Sequence, residues 1–107
     1  MQLEDFNKII DEQIGICSDM LVRKGGEYAP DKTADRLGAF KKAAVITNST
    51  PKQALLGMLA KHLVSVSDMC VNGKYSKALW SEKITDSINY LLILRAMIEE
   101  EQENEKY

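Results

Sequence analysis

"WSEKITDSINYLLIL", residues 80–94, decides the fold. Ile84, Ile88, Leu91 and Leu92 recur at helical rather than alternating spacing. Tyr90, Leu94 and Ile98 line a further side, so this helix has little face left for water. Yet Glu82, Asp86 and Asn89 form a polar stripe along it, at spacings of four and three. Burying a lone carboxylate costs several kcal/mol unless it is compensated. A Lys or Arg from a neighbouring helix, a divalent metal or a water-filled groove would each compensate it.

The preceding apolar segment offers a matching stripe. With Lys61 at angle zero and about 100° per residue, Ser65, Asp68 and Asn72 fall within roughly 40° of it. Leu55, Leu59, Val66 and Cys70 take the opposite face, with His62 on the shoulder near Met58 and Met69. Thr50 is a cap candidate and Pro51 suits a first helical position, so a helix is expected from there to about Val71, ended by Asn72-Gly73. The next helix is expected to begin near Trp80 or Ser81 and reach about Glu100. Two polar stripes on consecutive helices fit a ligand site between antiparallel partners. A Lys61–Asp86 bridge, or two solvated faces, would explain them without a ligand, and a hydrogen-bonded core histidine would explain His62.

Towards the N-terminus, Leu3, Phe6, Ile10, Ile14, Cys17 and Leu21 repeat every three or four residues, which predicts an amphipathic helix. Gly25-Gly26 is expected to end it near Arg23–Lys24. The glycine pair follows a helix instead of leading into one, so it reads as a C-cap and not as a phosphate cradle. Pro30 disfavours helical angles at Ala29, which makes "EYAPDKT" a loop. Lys24, Glu27, Tyr28, Lys32 and Arg36 bring cations, a carboxylate and an aromatic ring to that region, a mix that suits an anionic ligand with a base to stack. A short helix from Thr33 or Ala34 to about Ile46 should bury Leu37, Phe40, Ala44 and Val45. The sequence pattern therefore predicts an all-α bundle of four helices in a single domain. Its expected core includes Ile10, Ile14, Leu59, Val66, Ile88 and Leu91, and its acidic tail, 99–107, is expected to fray because negative charge opposes the helix dipole there.

A chain of 107 residues can bury roughly 65% of its unfolded surface as one domain. Its 14 basic and 16 acidic side chains give a formal net charge of -2, which argues against general nucleic-acid binding. Cys17 and Cys70 read as small buried hydrophobes with no zinc spacing. Residues 1–10 lack a basic leader and apolar core, and the longest apolar run, Tyr90–Leu94, is far short of the roughly 20 residues a membrane span needs. A cytoplasmic protein with no membrane partner is expected. The apolar side through Tyr90, Leu94 and Ile98 predicts a homo-oligomer.

The stretches "DRLGAFKKAA", "TPKQALLGMLAKHLVSVSDM" and "WSEKITDSINYLLIL" resemble the phage-associated nucleotide modification associated domain 1 family. More distantly, they resemble the MazG-type all-α nucleoside triphosphate pyrophosphatases. The similarity spans roughly residues 24–98. Its most specific parts are Lys61-His62 with Asp68, and Glu82-Lys83 with Asp86, Asn89 and Tyr90. The resemblance implies a nucleotide-binding groove between helices, of MazG-like architecture, and a phage protein acting on host nucleotide-based defence in the host cytoplasm. In the pyrophosphatases, carboxylate pairs on two successive helices hold magnesium against phosphates. Glu82 and Asp86 stand where the second pair would be, while the first pair is replaced by Lys61, Ser65 and Asp68.

Two functions follow as expectations. A binding protein would set Arg36, Lys61 and His62 on phosphate and Tyr28 or Tyr90 beside a base, with Asp86 and Asn89 reading donors on a sugar or base. Lys24, Ser65, Asp68 and Glu82 complete its candidate ligand set, and it would need no cofactor. A Mg²⁺-dependent pyrophosphatase would use Asp68, Glu82 and Asp86 as metal ligands. The sparse carboxylates favour the binding protein. An interaction module with interhelical salt bridges and no ligand is the third alternative.

Overall fold

The computed structural model describes residues 1–28 and 35–105, except for the side chains of 26–28 and 104–105. Among the described residues there are four helices and no strand: α1 (Leu3–Tyr28), α2 (Gly38–Ile46), α3 (Pro51–Asn72) and α4 (Lys77–Glu105). The expected all-α bundle is the observed one.

Local chemistry explains most of the helix boundaries. Thr50 Oγ1 accepts from Gln53 N at 3.2 Å and Gln53 Oε1 accepts from Thr50 N at 3.0 Å, a reciprocal box that starts α3 ahead of Pro51. Gly73, at φ 125°, ends it in a conformation that other residues rarely adopt. Asn48 takes φ 51° in the turn from α2 to α3, a conformation that asparagine tolerates unusually well. α4 starts at Lys77, three residues ahead of the expected Trp80, because Ser76 Oγ accepts from Leu79 N at 3.1 Å and caps it there. It also runs on to Glu105. Lys41 Nζ lies 2.7 Å from Glu100 Oε1, Lys52 Nζ lies 3.0 Å from Glu101 Oε2, and Arg95 Nη2 lies 2.6 Å from Glu99 Oε1, so cations meet the acidic segment's charge.

Two expectations at the α1–α2 junction are corrected. Gly25 lies inside α1, which continues to Tyr28. A Cβ at position 25 would stand 3.3 Å from Arg36 Nε, so this glycine makes room for the guanidinium and does not cap the helix. Asp35–Leu37 form a turn, and α2 begins at Gly38, where Asp35 Oδ1 accepts from Leu37 N at 2.9 Å. Of the expected loop "EYAPDKT", Glu27 and Tyr28 belong to α1 instead, and 29–33, with Lys32, lie outside the described residues.

α3 and α4 pack antiparallel, with His62 level with Asp86 and Lys52 level with Glu101. The contact seam on α3 is Leu55, Leu59, His62, Val66 and Met69, stepping four and three, and none of these is exposed. Leu37, Phe40, Leu55 and Met97 form the buried core, with Met58, Tyr90, Ile93 and Leu94 packed against it. Leu59 is buried as expected, and Val66 and Ile88 are half-buried. Ile10, Ile14, Leu91, Val45 and Cys70 are exposed, contrary to expectation, because the chain has more apolar helix surface than its own four helices cover. α3 is the one described helix that is long and apolar enough, by length and composition, to cross a membrane. It carries Lys61 and Asp68, and it buries Leu55, Leu59 and Met69 in the bundle.

Candidate functional site

Where the seam between α3 and α4 turns polar, the helices stop filling the space between them. A partly open cavity of about 400 Å³ lies there. Met58 and His62 come from α3, and Asp86, Asn89, Tyr90 and Ile93 from α4. Ala39 and Phe40 of α2 and Met20 and Leu21 of α1 add apolar wall. Lys24, near the end of α1, and Arg36, just ahead of α2, bring two cations to the same wall. Its size falls within the range of small-molecule sites, and its lining mixes an apolar majority with a few polar groups, as such sites do.

Two of the buried polar atoms here have no hydrogen-bond partner among the described residues. Asn89 is 6% exposed, and its buried Oδ1 has no hydrogen-bond partner among the described residues. His62 Nδ1 is also buried without one. It lies 3.8 Å from Asp86 Oδ2, beyond hydrogen-bond reach, while the imidazole tilts against the Tyr90 ring at 5.2 Å between centroids. A structural His–carboxylate lock would close to about 2.8 Å. This gap is instead left open beside the cavity.

The structure sorts the sequence-predicted residues into two groups. Lys24, Arg36, His62, Asp86, Asn89 and Tyr90 share the cavity lining. Lys61, Ser65, Asp68 and Glu82 lie outside it. Lys61, Asp68 and Glu82 are exposed, and Ser65 Oγ donates to Lys61 O at 3.2 Å, a bond within its own helix. The expected juxtaposition of Lys61 and Asp86 is therefore replaced by His62 and Asp86. The reason is rotation: the buried seam of α3 passes through position 62, which turns Lys61 about 100° away from it. Tyr28 closes α1, and its side chain lies outside the described residues.

The proposed metal trio is not assembled either. Of Asp68, Glu82 and Asp86, only Asp86 reaches the cavity. Among the described residues, no group of three or more His, Cys, Asp or Glu side chains is placed to hold a metal ion. Residue-type reasoning missed Phe40, Met58 and Ile93, which sit on ordinary core stripes and carry no signal of their own. His62 did carry one: it completes the four-and-three spacing of Leu55, Leu59, Val66 and Met69.

The chain matches no protein-family model, no curated protein and no solved structure.

Proposed function

We propose that this protein binds a nucleotide-type small molecule in the cavity between α3 and α4, closed by the end of α1 and the start of α2. The observation that carries the reading is a pair of buried polar atoms, Asn89 Oδ1 and His62 Nδ1, that have no partner among the described residues, on a cavity with two cations in its wall. A buried polar atom without a partner costs about 1–3 kcal/mol, so a fold that keeps two of them at one cavity gains when a ligand supplies the missing partners. Asn89 Oδ1 accepts from an N–H or O–H of the ligand, and the imidazole nitrogen donates or accepts according to its protonation. Tyr90 and Phe40 offer aromatic surface to a base, and Lys24 and Arg36 offer charge to phosphate.

The resemblance to the phage-associated family and its MazG-like relatives agrees with this class of ligand. In such a setting, sequestration of a host nucleotide signal is the use we propose for the site. One carboxylate at the cavity suits reading a sugar or base better than holding two metals.

The test is isothermal calorimetry and thermal shift across nucleoside mono-, di- and triphosphates and cyclic nucleotides, with and without Mg²⁺. At least one should bind and raise the melting temperature, since a ligand of the folded state stabilises it. Arg36→Ala should then weaken binding about 10–100-fold through loss of a charge-assisted contact. Absence of binding across the panel contradicts the proposal. Consumption of the ligand only with Mg²⁺ would replace sequestration with hydrolysis.

A further inference from the structure

The exposed surface of one chain is 8249 Å². A folded monomer of 12.0 kDa exposes only about 6,000 Å². The excess is roughly 2,200 Å², of the same order as the area each subunit of an obligate homodimer gives up, about 1,000–2,500 Å² per chain. The molecule is also extended for its length, with a radius of gyration of 16.2 Å against about 13 Å for a compact domain of this size.

Exposed large hydrophobics are most numerous on α1 and are joined by Ile84, Leu91, Leu92 and Ile98 on α4. Every residue from 1 to 12 is exposed, yet Leu3, Phe6 and Ile10 form a stripe there that continues into Ile14. Their exposures run from 42% to 73%. A helical segment of about twelve residues is marginal in water without packing. The stripe leads into an apolar groove of about 300 Å³, lined by Ile14, Cys17 and Leu21 of α1 and by Ile88 and Leu92 of α4. Beside it on α4, Leu91 is 55% exposed, and Ile84, Ile88, Leu91 and Ile98 step at four, three and seven. This is the spacing of a helix seam that still lacks a facing helix. Tyr90 and Leu94, which the sequence suggests for an interface, pack on the chain's own core instead.

We infer that a second copy of this chain covers the α1–α4 face, seating Phe6, Ile10, Ile14, Leu91 and Leu92 in an isologous dimer. A second copy fits the area, because the surplus is of the size an obligate dimer removes, and the groove and the stripe meet at Ile14. The outer face of α3, with Leu63, lies outside this interface.

Sedimentation equilibrium of the full chain, with Ile14→Lys and Leu63→Lys beside it, tests the inference. The wild type should sediment near twice 12.0 kDa at micromolar concentration. Ile14→Lys should weaken association at least about 30-fold, whereas Leu63→Lys should leave it unchanged. If Ile14→Lys does not fold, the wild-type melting temperature gives the same answer and should rise with protein concentration. A wild type that stays at 12.0 kDa overturns the inference, whether or not it binds phospholipid vesicles. So does dissociation by Leu63→Lys with Ile14→Lys still assembled, or a melting temperature constant over a hundredfold range of concentration.

Discussion

Thr85 and Asn89 stand one turn apart on α4, both buried and both polar, and they are treated in opposite ways. Thr85, 2% exposed, accepts a hydrogen bond at 2.9 Å from Gln13 Nε2 across the α1–α4 contact. Gln13 also reaches Cys17 Sγ at 3.3 Å. Asn89 has an amide oxygen with no partner among the described residues, and it fronts a cavity. A packing contact closes its polar groups against each other, because an unsatisfied one loses its water without replacement. One turn of helix therefore separates a polar group used to hold two helices together from one that the fold leaves available.

The largest effect is expected where neither position is touched. Leu55, 1% exposed at the centre of the core, should cost about 2–5 kcal/mol when replaced by Ala, measured by urea denaturation. This sets the scale for the polar changes. Gln13→Ala removes the partner of Thr85 and should cost about 1–3 kcal/mol, while leaving nucleotide affinity unchanged. A destabilisation below about 0.5 kcal/mol would show that the Thr85 lock is not the stabilising contact described, and the contrast with Asn89 would lose one arm.

The smallest effect lies at the surface. Asp35 and Lys41 pair at 2.6 Å, and Lys41 also meets Glu100. The Lys41 ammonium, then the Leu37 N–H, holds the Asp35 carboxyl below its ordinary value, and both carboxylates raise the Lys41 ammonium above its own. The sign follows from each shift. The Asp35 contribution is present above the ordinary carboxylate range and is lost as pH falls through the lowered value. The Lys41 contribution is lost only at the alkaline end, as pH rises through the raised one. Asp35→Asn should therefore lower the melting temperature slightly at pH 7 and leave it unchanged at pH 2, as read by thermal melts across pH. An equal loss at both ends would remove the ion pair from the anchoring of α2. The pair is exposed, which keeps its contribution small.

The sequence carried the helices better than their neighbours. Thr50-Pro51 and Gly73 mark the limits of α3 through chemistry local to the chain, so its limits are legible. Gly25 was misread because its role is tertiary: the side chain it accommodates, Arg36, lies eleven residues away. The polar stripe of α4 was legible as a stripe, and two of its members, Asp86 and Asn89, line the cavity. Which of Lys61 and His62 meets it depends on how far α3 is rotated, and neighbouring residues differ by about 100°, so the polar stripe through Lys61 points away from the seam that His62 joins. Ile10, Ile14 and Leu91 were read as core because periodicity reports an apolar face without reporting what covers it.

Asn89→Leu tests the central claim most directly, because it replaces an amide whose oxygen has no partner among the described residues with an apolar group of similar size. Melting temperatures are compared at one protein concentration, with and without the nucleotide that stabilises the wild type best. If Asn89 is held for a ligand, the unliganded variant should gain about 1–2 kcal/mol, some 4–10 °C, and its ligand-induced shift should disappear. A variant that melts lower than the wild type, or that keeps the full ligand-induced shift, would contradict the account.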